Sequence, residues 1–103
     1  MARVLTQPIT YIEAPFTPVG SHTQLATGAN VQSITVPDGA TKWMVQCQTQ
    51  NVRFTLDGTA ATTTKGFLLV KDGVPLVVAC YPGQVIKWIE VTTTAVLDYI
   101  FGM

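Results

Sequence analysis

The chain has 103 residues, of which 48% are hydrophobic and only 12% are charged, and its formal net charge is zero. Six acidic and six basic residues are scattered without runs, which excludes the charge pattern of proteins that bind nucleic acid or anionic membranes. Charged residues usually make up about a quarter of a soluble domain, so this surface is poor in charge and predicts a subunit that is covered by neighbours.

The N-terminal segment, residues 1–29, is rich in proline and glycine and has only weak strand signals, at 9–13 and 24–27. Proline removes a hydrogen-bond donor from a strand. The segment is therefore either an edge strand with a loop or an extended arm, and we favour an arm that lies on another subunit. Residues 1–8 lack the apolar stretch of a signal peptide, and the longest apolar run, 76–81, is too short to cross a bilayer, so we expect synthesis in a cytoplasm and no membrane partner.

Residues 30–103 alternate between turn signals and segments of strand character, which predicts one β-sandwich domain after the N-terminal segment. Glycine follows aspartate or proline at several of these turns, where it supplies the positive φ that they need. Six strand-like segments are clear in the sequence: 42–50, 51–56, 67–70, 76–81, 85–91 and 95–101. The third and fourth are nearly continuous apolar runs and predict a hairpin that is buried on both faces. The last two predict another hairpin around Thr92 to Thr94.

The sequence therefore predicts an all-β fold. Val, Ile, Thr and aromatic residues dominate, and no segment has a long helical periodicity. The expected architecture is a β-sandwich or jelly-roll-like barrel of about seven or eight short antiparallel strands with an extended N-terminal arm.

Residues that could carry chemistry are few. His22 is the only histidine, and no second histidine or carboxylate cluster lies near it in the sequence. Asp38, Asp57 and Asp72 each precede glycine, which a turn explains without a calcium ion. We predict no catalytic residue, cofactor site or metal site, and hence no enzyme. Two cysteines do not make a disulfide framework, so buried free thiols are favoured.

The aromatic side chains allow two interpretations. A sugar-stacking platform needs them exposed, whereas strand alternation assigns most of them to a core or an interface. The residues concerned are Trp43, Tyr81, Trp88, Tyr99 and Phe101. Trp88 alternates with Ile86 and Glu90, a mixed face that we expect to lie against a partner. The small-residue stretch Thr59 to Lys65 predicts a flexible surface loop, and in an assembly a contact loop.

Several short motifs occur in a suggestive order. "QNVRF" (50–54) leads into "DGT" (57–59), a Thr/Ala loop and "GFLL" (66–69), followed by "IKWI" (86–89) and "LDYIF" (97–101). In this order they resemble small virion proteins of tailed bacteriophages, and the resemblance covers about residues 34–103.

The resemblance implies a structural protein on the outer capsid surface, made in the bacterial host. It implies a decoration or cement protein that bridges neighbouring capsomers, commonly as a trimer, with the major capsid protein as partner. A head fibre, collar or tail component and a carbohydrate-binding module are the alternatives. The predicted contact residues are Phe16, Trp88, Thr59, Thr62, Thr63, Thr64 and Lys65.

Overall fold

A computed structural model describes residues 15–103 of the chain, which contain eight strands and no helix. The strands are β1 (Pro18–Ala26), β2 (Gln32–Thr35), β3 (Lys42–Gln48), β4 (Val52–Thr55), β5 (Phe67–Leu69), β6 (Leu76–Ala79), β7 (Val85–Glu90) and β8 (Val96–Gly102). The predicted all-β class is confirmed.

The strands form two four-stranded antiparallel sheets, with the orders β1-β8-β3-β6 and β2-β7-β4-β5. Each strand of the first half of the chain pairs with its counterpart in the second half: β1 with β8, β2 with β7, β3 with β6 and β4 with β5. This nested pairing across two sheets is the arrangement of an eight-stranded jelly roll.

The core lies between the sheets and follows the two-residue alternation of the sequence. Trp43, Val45 and Cys47 of β3 are at most 1% exposed, whereas the residues between them are only half-buried. The Trp43 ring packs edge-on against Phe54 of the opposite sheet, with ring centres 5.4 Å apart. Tyr99 lies 6.1 Å from Trp43 and 6.0 Å from Trp88, so aromatic contacts join the two sheets.

Both predicted hairpins are wrong in their pairing. β5 pairs with β4 in one sheet and β6 pairs with β3 in the other, while β7 and β8 also belong to different sheets. The connections after β5 and β7 therefore cross from one sheet to the other. β5 and β6 are not buried on both faces either, because each is the edge strand of its sheet and much of its apolar surface is exposed.

The predicted N-terminal arm lies partly outside the described residues, which begin at Pro15. Residues 18–26 form β1, the edge strand that pairs with β8 of the same chain. Residues 18–26 thus match the edge strand that the sequence allowed for the segment 1–29, rather than an arm extended away from the domain. The register of β1 shifts between Val19 and Thr23, so the strand is irregular where it begins.

Candidate functional site

Two neighbouring cavities lie at one edge of the sandwich, one beside β4, β5 and the loop between them, and the other between β5 and β6. One has a volume of about 400 Å³ and the other about 370 Å³, and both are lined by Phe54, Leu56 and Phe67. Leu76 and Val78 of β6 complete the wall of the second. We call this combined depression, lined by these five residues, the edge groove.

The edge groove is open because its rim side chains belong to β5 and β6, which are edge strands with no further strand beside them in the described part of the chain. Phe54 is 2% exposed in the core, whereas Phe67, whose ring centre lies 5.7 Å from that of Phe54, is 64% exposed. Leu76 on the facing strand is 43% exposed. Both rim residues lie on the inward-facing side of their strands, opposite the core residues Phe54 and Val45 of the neighbouring strands.

Exposed apolar side chains are concentrated around this groove. Within residues 15–103, six of the eight exposed large hydrophobic residues lie on β5, on β6 or within two residues of their ends. They are Phe67, Leu68, Val70, Val74, Leu76 and Tyr81. At roughly 150–200 Å² for a fully exposed large side chain, these six residues together expose about 600 Å² along the two edge strands. This concentration of exposed apolar side chains makes the edge the candidate interaction surface of residues 15–103.

The predicted contact loop borders the groove, since Thr59 and Lys65 line it. Hydrogen bonds within the loop hold its turns together. Asp57 accepts hydrogen bonds from the Thr59 hydroxyl and amide at 2.6 and 3.1 Å, and these bonds lower the pKa of the Asp57 carboxyl. The Thr62 hydroxyl accepts from the amides of Thr64 and Lys65 at 3.2 and 2.9 Å. Thr63 lies in the same exposed turn.

Arg53 fixes this loop to the sheet, a role that the sequence analysis missed. Its Nε donates to the Thr63 carbonyl oxygen at 3.0 Å and its Nη1 to the Gly66 carbonyl oxygen at 2.9 Å. Arg53 stands between the core residues Val52 and Phe54, on the outward face of β4. In the sequence, Arg53 appears only as a charged residue on the solvent side of a predicted strand. That pattern does not reveal that its partners are two backbone carbonyl oxygens of the following loop.

Two predicted contact residues lie against their own domain. Trp88 is 2% exposed between the sheets, so the expectation that it contacts a partner is wrong for this fold. Ile86 and Glu90, on the same face of β7, are also buried. The buried Glu90 carboxylate accepts a hydrogen bond from the Thr27 hydroxyl at 2.9 Å. Phe16 is half-buried, and its ring covers the backbone of Gly102.

The single histidine, His22, lies in β1. His22 Nε2 is 3.1 Å from Oδ1 of Asp98, a carboxylate 76 residues later in the chain, and Gln48 Nε2 donates to the other oxygen of Asp98. The contact lies on the outer face of the first sheet. Among residues 15–103, no group of three or more potential metal ligands comes together.

Both cysteines are free thiols, as predicted. Cys47 is buried in the core and its Sγ lies 3.3 Å from the Leu69 carbonyl oxygen, whereas Cys80 is half-buried beyond the end of β6. Burial raises the pKa of both thiols. No helix in the described part of the chain has the length and hydropathy needed to cross a membrane.

Comparisons with known protein families give no further indication. No family model matches this chain, and a search of curated proteins finds no similar sequence. The candidate site therefore rests on the geometry of the edge groove and its loop.

Proposed function

We propose that this protein is a structural component of a tailed-bacteriophage virion that decorates and cements the capsid. In this proposal it lies on the outer capsid surface, assembles as a homotrimer and bridges neighbouring subunits of the major capsid protein. The observation that carries the proposal is the edge groove with its surrounding apolar side chains, on a chain in which only 12% of residues are charged. Eight-stranded jelly rolls are frequent in viral capsid proteins.

The mechanism is mechanical. Apolar surface such as that of Phe67 and Leu76 is desolvated against a neighbour without burying an unpaired charge, which would cost several kcal/mol. Each chain also offers its hydrogen-bonded loop, residues 59–65, as a second contact beside the groove. Several weak contacts made at once raise the effective concentration of each other contact, so that modest interfaces hold neighbouring capsomers together.

The motifs behind the resemblance support the same surface. "QNVRF" contains the first three residues of β4, including Arg53, "DGT" contains the Asp57–Thr59 turn, and "GFLL" contains Gly66 and β5. These segments therefore build one wall of the edge groove. The other two motifs, "IKWI" and "LDYIF", belong to the central strands β7 and β8 and supply core residues behind this wall.

A head fibre, collar or tail component is the second candidate, because the same exposed edge suits any particle contact. A carbohydrate-binding module has less support. Of the five aromatic residues considered for a sugar platform, only Tyr81 is exposed, while Trp43, Trp88, Tyr99 and Phe101 are at most 6% exposed. The sugar-stacking surface expected of such a module is therefore lacking on those residues.

The copy number per particle tests the proposal. Virions purified from the phage that encodes this chain are analysed by quantitative mass spectrometry, with the major capsid protein as internal standard. A decoration protein is present in a fixed ratio to the capsid protein, on the order of one chain for each. A few copies per particle favour the fibre, collar or tail alternative, and absence from purified virions contradicts both.

A further inference from the structure

The outer edge of β6 is the least protected of the four sheet edges. Edge strands usually resist pairing through charge, a bulge, proline or a polar surface. β1 has a register shift between Val19 and Thr23, β5 lies between Lys65 and Lys71, and β2 exposes serine and threonine. β6 follows Pro75, but it has no register shift, and no residue from Gly73 to Ile86 is acidic or basic.

The hydrogen-bonding groups on this edge follow from the pairing of β6 with β3. The Cys80 amide donates to the Thr41 carbonyl oxygen at 3.0 Å, and the register places Val78 opposite Trp43. Because backbone groups in an antiparallel pair alternate in direction, those of Val78 also point to β3. The backbone NH and CO groups of Val77 and Ala79 therefore point away from β3, in the plane of the sheet, and no strand among residues 15–103 pairs with them.

The outward row of donors is short and symmetric. Pro75 has no amide hydrogen, and the Tyr81 amide already donates to Oε1 of Gln84 at 3.2 Å. On this edge, the amides without a partner among residues 15–103 are therefore those of Val77 and Ala79. An antiparallel copy of β6 related by a two-fold axis at Val78 places Val77 of each copy opposite Ala79 of the other. The two pairs then make four hydrogen bonds, each donor meeting an acceptor.

We propose that β6 pairs with β6 of a second copy of this chain, so that two four-stranded sheets join into one of eight strands. The contact is isologous, since the same residues serve both copies. It buries the exposed sides of Leu76 and Tyr81 and closes the edge groove from one side. The inference goes beyond the proposed function, because it specifies a contact between copies that does not require a capsid and differs from any three-fold contact.

Charge and area favour a second copy as the occupant. Two identical strands meet with no like charges to separate, because the stretch Gly73 to Ile86 contains no acidic or basic residue. The exposed apolar residues on the β6 side, Val74, Leu76 and Tyr81, supply about 300 Å² of the roughly 800 Å² that each partner buries in a standard interface, and the unpaired edge of β6 adds backbone area to this. A strand with acidic or basic side chains would leave those charges against apolar groups.

A cysteine at the two-fold axis tests the proposed register. The test uses the full-length chain with Cys80→Ser, to which Val78→Cys is added. In the proposed dimer the position 78 residues of the two copies form a non-hydrogen-bonded pair, with Cα atoms about 4.5 Å apart. A disulfide between the two copies fits this distance. The matched control is Ile34→Cys, another half-buried, inward-facing position on an edge strand. Under mild oxidation at about 10 µM protein, we expect at least about ten times more covalent dimer from Val78→Cys than from the control.

A proline on the same edge tests whether backbone pairing makes the contact. Ala79→Pro removes an amide that points outward, which an edge strand tolerates. Added to Val78→Cys, it should abolish the covalent dimer while the circular dichroism spectrum stays unchanged. Ser33→Pro is the control, because its amide also points outward, from β2. It should leave the cross-link intact.

Three results would overturn the inference. The first is equal cross-linking of Val78→Cys and Ile34→Cys, and the second is equal loss of the dimer with Ala79→Pro and Ser33→Pro. The third is a cross-link that forms only after residues 1–14 are deleted, which means that the chain's own N-terminal segment covers this edge. A specific cross-link in a protein that is absent from virions supports the inference and contradicts the proposed function.

Discussion

Gly66 and Phe54 approach each other more closely than any side chain at position 66 would allow. A Cβ on Gly66 would lie 2.8 Å from the Phe54 carbonyl oxygen, and Gly66 has a φ of +126°. This contact lets the loop after β4 return to the sheet as β5, and it places Phe67 at the rim of the edge groove. Glycine is required here for both space and conformation.

Replacing Gly66 with alanine should therefore destabilise the fold. We expect Gly66→Ala to lower the free energy of unfolding by about 2–3 kcal/mol, from backbone strain and overlap with Phe54. Gly58→Ala is the matched control: φ is +85° there, but nothing lies within 4 Å of the added Cβ. Its cost should be about 1 kcal/mol, from conformation alone. Urea unfolding measures both, and equal losses would contradict the role of the close contact.

Arg53 should control the order of the loop beside the groove. Arg53→Met keeps most of the side-chain volume but removes the hydrogen bonds to the carbonyl oxygens of Thr63 and Gly66. Hydrogen bonds from a charged group contribute about 1.5–3 kcal/mol. We expect hydrogen–deuterium exchange at the Thr62 and Lys65 amides to accelerate at least about tenfold, with little change in β8. Uniform acceleration across the chain would mean that Arg53 stabilises the whole fold instead.

Cys47 should contribute to unfolding at alkaline pH. Burial raises the pKa of its thiol above the ordinary value of 9.0, so the unfolded chain ionises first as pH rises. The unfolded state then binds fewer protons than the native state, and stability falls above about pH 9 until the native thiol also ionises. We expect Cys47→Ala to be less stable at neutral pH, through the lost packing, but to show a shallower decline between pH 9 and 11. Thermal unfolding across this range measures the slope, and parallel curves would exclude the thiol.

Asp98 and His22 should contribute unequally, although they touch each other. Asp98 is 8% exposed and interacts with both His22 and Gln48, whereas the His22 side chain is 58% exposed. Asp98→Ala leaves the Gln48 amide without its partner and should cost about 1–3 kcal/mol. His22→Ala removes an exposed contact and should cost less than about 1 kcal/mol. Chemical denaturation of the two variants decides between this order and the reverse.

A charge beside the groove should weaken attachment to the particle without unfolding the protein. Val74 is 69% exposed, so Val74→Lys should change stability by less than about 0.5 kcal/mol. Under the proposed function it should reduce the number of copies per virion, because the lysine must be desolvated in the contact. Val31→Lys is the control, since Val31 is exposed outside the β5–β6 region. Equal occupancy of the two variants would remove the groove from the attachment surface.

The sequence by itself determined the strands and most of the core. Alternation along β3 separates the buried Trp43, Val45 and Cys47 from their half-buried neighbours, because successive side chains of a strand point to opposite faces. Turn residues such as Asp57 and Gly58 also lie where their chemistry indicates. These are local properties, which each segment carries without reference to the rest of the chain.

Only the tertiary structure decided which strands pair and which apolar residues stay exposed. A two-residue alternation defines the faces of a strand but not its neighbour, so β5 and β6 read as a hairpin although they belong to opposite sheets. The same physics explains Trp88 and Phe67. Both lie on the inward-facing sides of their strands. Trp88 belongs to β7, a central strand with a neighbour on each side, and is buried. Phe67 belongs to β5, an edge strand with a neighbour on one side only, and stays open to solvent or to a partner.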